Sequence, residues 1–290
     1  MKKFWKFRDG KHIKYIQLPK LSDATMIVAF EGWNDAGSAA SLALAVLRNQ
    51  WKSAKIAEVD SEEFFNFTDL RPEMYFSSEN RRYISWPKTT ISLASSERSP
   101  GDVVFVYGAE PQLKWKTYSH NLYVLAKKLN CRRAIFLGSH LADVTHDRPV
   151  QIAVSGDVSS LGVNDKAVVS GYEGPVGILS ALQTEFENRN ILTGSIWAGV
   201  PNYSESTSPK AALALVLSVN EILKGTVSTA ELERLAKEYE VRMTNMVDAD
   251  DLLATYVSYV SERNDIDTLM AASNEVIKEI EDFLRKEESN

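Results

Sequence analysis

Through the first three quarters of the chain, short apolar runs that end on glycine or charge alternate with longer stretches of helical period. This alternation restricts the fold more than any other feature. Thr25 to Phe30 (TMIVAF) reads as a buried strand running into Glu31-Gly32-Trp33-Asn34-Asp35. A helix follows from Ala36 to Trp51, with Ala39, Ala43, Val46 and Leu47 on its apolar face. Asn34 or Asp35 is the natural N-cap, because a short side-chain oxygen accepts an orphan backbone N–H. Lys55 to Val59, Val103 to Tyr107 and Ala134 to Leu137 read as further strands, the last two followed by Gly108 and Gly138. Helices are expected from about Trp115 to Leu129, from Val176 to Arg189 and from Pro209 to about Leu223, with a strand from Leu192 to Ala198. Proline suits a helix start, where its missing N–H is not needed. The pattern predicts an α/β domain with a mostly parallel or mixed sheet and helices on both faces.

Two segments depart from it. Between Arg71 and Ser96, Met74-Tyr75-Phe76, Tyr83-Ile84-Ser85 and Thr90-Ile91-Ser92 are strand-like pieces that read as an antiparallel insertion. From Ser228 the period is helical throughout. Leu232, Ala236, Tyr239, Met243, Met246, Asp250, Leu253, Val257 and Val260 keep 4-3 spacing, the mark of a long heptad helix. Asn264-Asp265 is expected to end it, and Leu269, Val276, Ile280 and Leu284 form the face of a second helix. The chain is therefore divided into an α/β domain over residues 1–226 and a helical extension, a hairpin, over 227–290. Its seam must be received either by the α/β domain itself or by another subunit or partner.

Composition narrows the function classes. With 290 residues, 44% of them hydrophobic, the chain can bury a full core. A net charge of −6 argues against nucleic-acid binding, which needs clustered Lys and Arg on phosphate. The basic start (Lys2, Lys3, Lys6, Arg8, Lys11, Lys14, Lys20) reads as a solvated arm. Cys131 is the only cysteine, so a reducing compartment fits. Trp5 and Phe7 alternate with Lys6 and Arg8, which leaves no apolar core for a signal peptide. The longest apolar run, Ala211 to Leu217, is far short of the roughly 20 residues a membrane span needs. A cytoplasmic protein with no membrane partner is expected.

In open parallel sheets, ligands bind beyond the carboxyl ends of the strands. Four such ends carry small or charged residues: Glu31-Gly32-Trp33-Asn34-Asp35, Gly108-Ala109-Glu110-Pro111, Gly138-Ser139-His140 and Gly199-Val200-Pro201-Asn202-Tyr203. If the strands are parallel, these converge on one rim, although turns call for glycine and caps whatever the function. The richest segment is Gly138 to Pro149, where His140, His146, Asp143, Asp147 and Arg148 could form an acid/base pair or pair among themselves. The six-residue His spacing matches no standard metal pattern, and no metal is expected.

Specific motifs fail in turn. Gly32-x4-Gly37-Ser38 has phosphate-loop glycine spacing, but Ala39 follows where the loop's lysine would sit. Neither G-x-G-x-x-G after a strand nor G-x-S-x-G occurs. No cofactor is expected, and Cys131, just ahead of a strand core, reads as a buried thiol.

Taken together and in order, several segments resemble the proteasome assembly chaperone two family. They are Val28 to Gly37, Arg71-Pro72, Ser85-Trp86-Pro87, Gly108-Ala109-Glu110-Pro111 with Trp115, Leu137-Gly138, His146-Asp147-Arg148-Pro149, Tyr172-Glu173-Gly174-Pro175-Val176-Gly177 and Trp197 to Tyr203. The resemblance runs from about Thr25 to Leu223 and is closest to a longer actinobacterial branch with a helical extension. It implies a three-layer α/β/α fold of the phosphorylase/hydrolase-like type, and adds Glu173 to the candidate ligand-binding residues. It also implies partners such as proteasome subunits. Eukaryotic relatives dock through a C-terminal hydrophobic-Tyr-X tripeptide, which Glu288-Ser289-Asn290 lacks, and this counts against that route.

Two functions follow. One is a non-catalytic, chaperone-like binding or assembly protein acting as a homo-oligomer, a trimer being a guess at its number. The other is a small-molecule hydrolase or phosphorylase-like enzyme, with Glu31, Asp35 and Glu110 as rim carboxylates, His140 or His146 as proton carriers and Arg148 receiving an anion. They differ in whether those residues meet across one cavity or cap separate helices.

Overall fold

In a computed structural model, residues 12–157, 162, 168–204 and 207–265 are described. Their main feature is a nine-stranded mixed sheet in the order β1-β3-β6-β7-β2-β8-β11-β9-β10. At its centre β7 (Val103–Ala109), β2 (Ala24–Glu31), β8 (Cys131–Ala142) and β11 (Leu192–Pro201) run parallel. On one flank β6 (Thr89–Ala94) runs antiparallel to β7, β3 (Ala54–Val59) to β6, and β1 (Ile13–Tyr15) to β3. On the other, β9 (Ile152–Gly156) is antiparallel to β11 and carries the short β10 (Val168–Val169).

Strand β2 explains the layering. All of it but Glu31 is buried, as expected for a strand covered on both faces. Its alternate side chains belong to different cores. Met26, Val28 and Phe30 pack with α2 (Trp115–Lys128) and α3 (Ile178–Glu187), through Tyr118, Leu122, Ile178, Leu182 and Phe186. Ile27 and Ala29 pack with α1 (Ala39–Gln50) and α4 (Pro209–Leu223), through Leu44, Leu47, Leu215 and Val219. Ser208 caps α4, its hydroxyl accepting from the Ala211 N–H ahead of Pro209 at the first turn.

Three expectations change. Strand β8 does not stop at Leu137; it continues through Gly138, Ser139 and His140 to Ala142, paired along its length with β11. Gly138 is therefore an interior strand position, and the reason for glycine is the Trp197 ring: a Cβ there would lie 2.4 Å from ring Cε3. The 71–96 insertion divides. Strands β4 (Glu73–Phe76) and β5 (Arg82–Ser85) form a separate exposed hairpin, while β6 enters the main sheet.

The heptad helix is two helices, α5 (Ala230–Asp248) and α6 (251–265), and α6 continues through Asn264-Asp265. The break falls at Asp250, the one polar member of the heptad series. Its Oδ1 accepts from the N–H groups of Leu252 and Leu253 at 2.9 and 3.1 Å, so local capping prevails over helix continuation. The seam residues Leu232, Ala236, Tyr239 and Met243 are buried within the chain, Leu232 in the same cluster as α4. The second helix of the expected hairpin lies outside the described residues.

Cys131 opens β8 and is buried, which pushes its thiol up to about 12. It is expected to stay unmodified by a thiol reagent at mildly alkaline pH in the native protein and to react fully once denaturant is added. Rapid native labelling would contradict this placement.

Candidate functional site

The four parallel strands end on one side of the sheet, so their tips form a common rim. Phe30 and Gly108 are register partners, as are Gly199 and His140. The 71–88 hairpin joins the same rim, because β6 begins at Thr89, opposite Gly108.

Beyond β2 the chain turns at Gly32 (φ 112°) and runs beside β8, where the Ser139 N–H donates to the Asn34 carbonyl at 2.9 Å. Ser139 Oγ in turn donates to the Ala36 carbonyl. This places two polar side chains inside the rim. Asp35 Oδ1 accepts from the N–H groups of Ala40 and Ser41 at 2.8 and 3.1 Å and so caps α1. Burial raises the Asp35 carboxyl above its ordinary value despite those amides and the hydroxyls of Ser41 and Ser139, which act the other way.

Asn34 is fully buried, and its Nδ2 donates to Glu110 Oε1 at 2.7 Å. The same oxygen accepts from the Ile178 N–H at 2.9 Å, so Glu110 caps α3 from the β7 side. Asn34 Oδ1 faces Gly177 and, among the described residues, has no hydrogen-bond partner. The two carboxylates thus cap separate helices. Replacing Glu110 by Ala is expected to cost about 2 kcal/mol in urea unfolding, since it leaves a helix amide and a buried carboxamide unpaired. An unchanged midpoint would contradict the capping role.

The other candidates lie elsewhere on the rim. Glu31, Glu173 and His140 are exposed, His140 with its ring edge-on to Trp197. Segment 143–148 forms a seam with the C-terminal helices. Asp143 Oδ1 accepts from Asn202 Nδ2 at 2.6 Å and from the Tyr256 hydroxyl at 3.1 Å. Arg148 donates to Ser261 Oγ at 2.8 Å and pairs with Asp265 at 2.7 Å. His146 is bonded through Nδ1 to the Tyr203 hydroxyl and through Nε2 to Thr244 Oγ1. The Asp147 carboxyl is lowered, first by the Thr145 side chain, with His146 and Arg148 adding to it.

A depression of about 270 Å³ opens beside His146, Asp147, Glu240 and Thr244. A crevice of about 10 Å³, near the size of one water, lies between His146, Lys210 and Tyr239. Glu31, Asp35 and Glu110 line neither of them. Among the described residues, no group of three His, Cys, Asp or Glu is placed to hold a metal ion, and no helix is long and apolar enough to cross a membrane.

Sequence reasoning missed the exposed apolar part of the rim. On the β4–β5 hairpin Met74 and Ile84 are register partners, and Phe76 lies opposite Arg82 on the same face. Tyr75 and Tyr83 stack on the other face, with ring centroids 5.6 Å apart. Met74, Phe76, Tyr83, Ile84 and Trp86 are all exposed, as are Trp33 and Tyr172. Two apolar faces on an isolated two-stranded hairpin are unusual for a lone surface element. The available signal was the three consecutive apolar residues at 74–76.

The model of the PAC2 family matches residues 29–247 of the chain. Among solved structures, the chain is similar to a PAC2 family protein from Streptomyces avermitilis, with 33% identity and a TM-score of 0.74, over 81% of this chain and 100% of that one. A proteasome-assembly chaperone homologue from Mycobacterium tuberculosis is 34% identical, with a TM-score of 0.73, over 80% of this chain and 99% of that one. An archaeal proteasome activator from Pyrococcus furiosus shares the fold at 17% identity and a TM-score of 0.67, over 81% of this chain and 97% of that one. Among curated proteins, none matches.

Proposed function

Because the chain belongs to the PAC2 family, we propose that it is a chaperone-like binding or assembly protein of the cytoplasm, working as a homo-oligomer, whose partner is a proteasome subunit. The observation that carries this reading is the division of labour on the rim. Buried Asp35 and partly buried Glu110, the carboxylates best placed for acid/base work, are committed to backbone amides at two helix ends. What the rim offers to solvent instead is apolar and aromatic surface on the β4–β5 hairpin, with Trp33 and Tyr172. Exposed aromatic patches of this kind mark protein contacts more often than small-molecule chemistry. On the C-terminal helices, Val241, Leu252 and Tyr259 are exposed apolar residues available for contact between copies.

The test mixes the purified chain with separately purified proteasome α- and β-subunits and follows complexes by native mass spectrometry. A complex with the α-subunit, formed ahead of the assembled particle, is expected. Unaltered assembly with no complex at micromolar concentration would overturn the proposal.

A further inference from the structure

Strand register sets two departing segments side by side. Ile13 pairs with Val59, Val59 with Thr89 and Thr89 with Gly108, so a single row crosses the sheet at the rim. Strand β1 begins on this row, and the residues ahead of it therefore leave the sheet at the rim. The β4–β5 hairpin leaves the same row between Val59 and Thr89. Thr89 is two strand spacings, about 10 Å, from Ile13. Ser85, opposite Glu73 at the near end of the hairpin, is four residues from Thr89. Arg8 is five residues from Ile13, a reach of up to about 17 Å.

The hairpin also has a free edge beside its apolar face. The Ser77 N–H donates to the Arg81 carbonyl, and in an antiparallel ladder bonded and unbonded pairs alternate. Glu73 and Tyr75 therefore turn their backbone groups toward β5, while the N–H and C=O groups of Met74 and Phe76 point outward from β4. Both side chains are exposed. Two strands alone are marginal in water, whereas three with an apolar face can hold together.

The chain ahead of β1 reads Phe4-Trp5-Lys6-Phe7-Arg8, which as a strand sets Trp5 and Phe7 on one side and Lys6 and Arg8 on the other. We propose that residues 4–8 add in cis to the free edge of β4 as an antiparallel third strand, with Trp5 opposite Phe76, Phe7 opposite Met74 and Arg8 opposite Glu73. The direction follows because the segment must run from the tip of the hairpin toward Ile13. Of the antiparallel registers, this one alone places both rings beside the apolar side chains of β4. It also brings Arg8 to Glu73, a complementary charge that fixes register more than it adds stability. Trp5 and Phe7 then widen the apolar face that the proposed function gives to a partner. The pairing itself needs no partner, so its test stands apart from that reading.

Disulfide trapping in the full chain tests the pairing, since Cys131, the single cysteine of the sequence, is buried. Lys6→Cys with Tyr75→Cys occupies an unbonded pair of the new ladder, where Cα atoms approach to about 4.5 Å, within disulfide range. Lys6→Cys with Tyr83→Cys lies one strand farther, about 10 Å, and is the control. Under a mild oxidant the first pair is expected to close within the monomer at least roughly tenfold faster than the second. Equal rates, or a product that is a cross-linked dimer, would overturn the proposal. Hydrogen exchange of the natural chain gives a check that needs no cysteine. The Met74 and Phe76 amides should be protected at least roughly tenfold, less so in Arg8→Glu, and again in Arg8→Glu with Glu73→Arg. Unprotected exchange at both amides in the natural chain would also overturn it.

Discussion

Gly108→Ala is expected to remove about 4 kcal/mol of stability, enough to leave much of the protein unfolded or insoluble on expression. Gly108 lies where β6 begins beside β7, at φ 146°, which L side chains rarely adopt. A Cβ there would sit 2.1 Å from the Lys88 carbonyl oxygen and 3.2 Å from Thr89 Cα, both backbone atoms that cannot rotate aside. Strain and overlap would therefore add, each costing about 1–3 kcal/mol. Gly101→Ala separates the two. That glycine also has positive φ, 102°, but nothing lies within 4 Å of its Cβ position. It should cost only the conformational part, about 1–2 kcal/mol. Equal urea midpoints for the two variants would contradict the close approach of β6 and β7 at the rim.

Gly177→Ala is expected to cost about 3 kcal/mol for a different reason. Its φ of −89° suits any residue, so no backbone strain arises. The cost comes from Asn34, whose Oδ1 and Nδ2 would be 2.1 and 2.6 Å from the new Cβ. Asn34 is fully buried and cannot swing into solvent, so its bond to Glu110 must break. If so, Asn34→Ala should relieve the overlap, and the double variant should be more stable than Gly177→Ala alone in the same unfolding measurement. Strict additivity would show that the two residues do not meet.

These two glycines mark how far the rim could be read from the chain. The β2, β7, β8 and β11 segments announce themselves by apolar runs buried on both faces, and their common direction follows from the helices between them. The capping roles were half legible. Asp35 acts on amides five and six residues away, within reach of a local rule. Glu110 reaches an amide 68 residues on, which no local pattern encodes. The same limit applies to His146, whose Thr244 partner is 98 residues later. A polar segment rich in His, Asp and Arg looks like a catalytic loop until the helix that pairs with it is in place. Gly138 shows a second kind of blindness, since glycine in a strand signals a close neighbour as readily as a turn. The break at Asp250 shows a third, where one side-chain cap outranks a long periodic pattern.

The most direct measurement replaces one face of the hairpin, Met74, Phe76 and Ile84 together, by serine and compares it with Glu110→Gln. Both variants are followed by thermal unfolding and by native mass spectrometry with the proteasome α-subunit. The account predicts that the serine variant melts near the natural chain yet forms no complex, while Glu110→Gln melts lower yet still binds. A complex that survives loss of the hairpin face but disappears in a well-folded Glu110→Gln protein would place recognition at the Glu110 carboxylate and contradict the account.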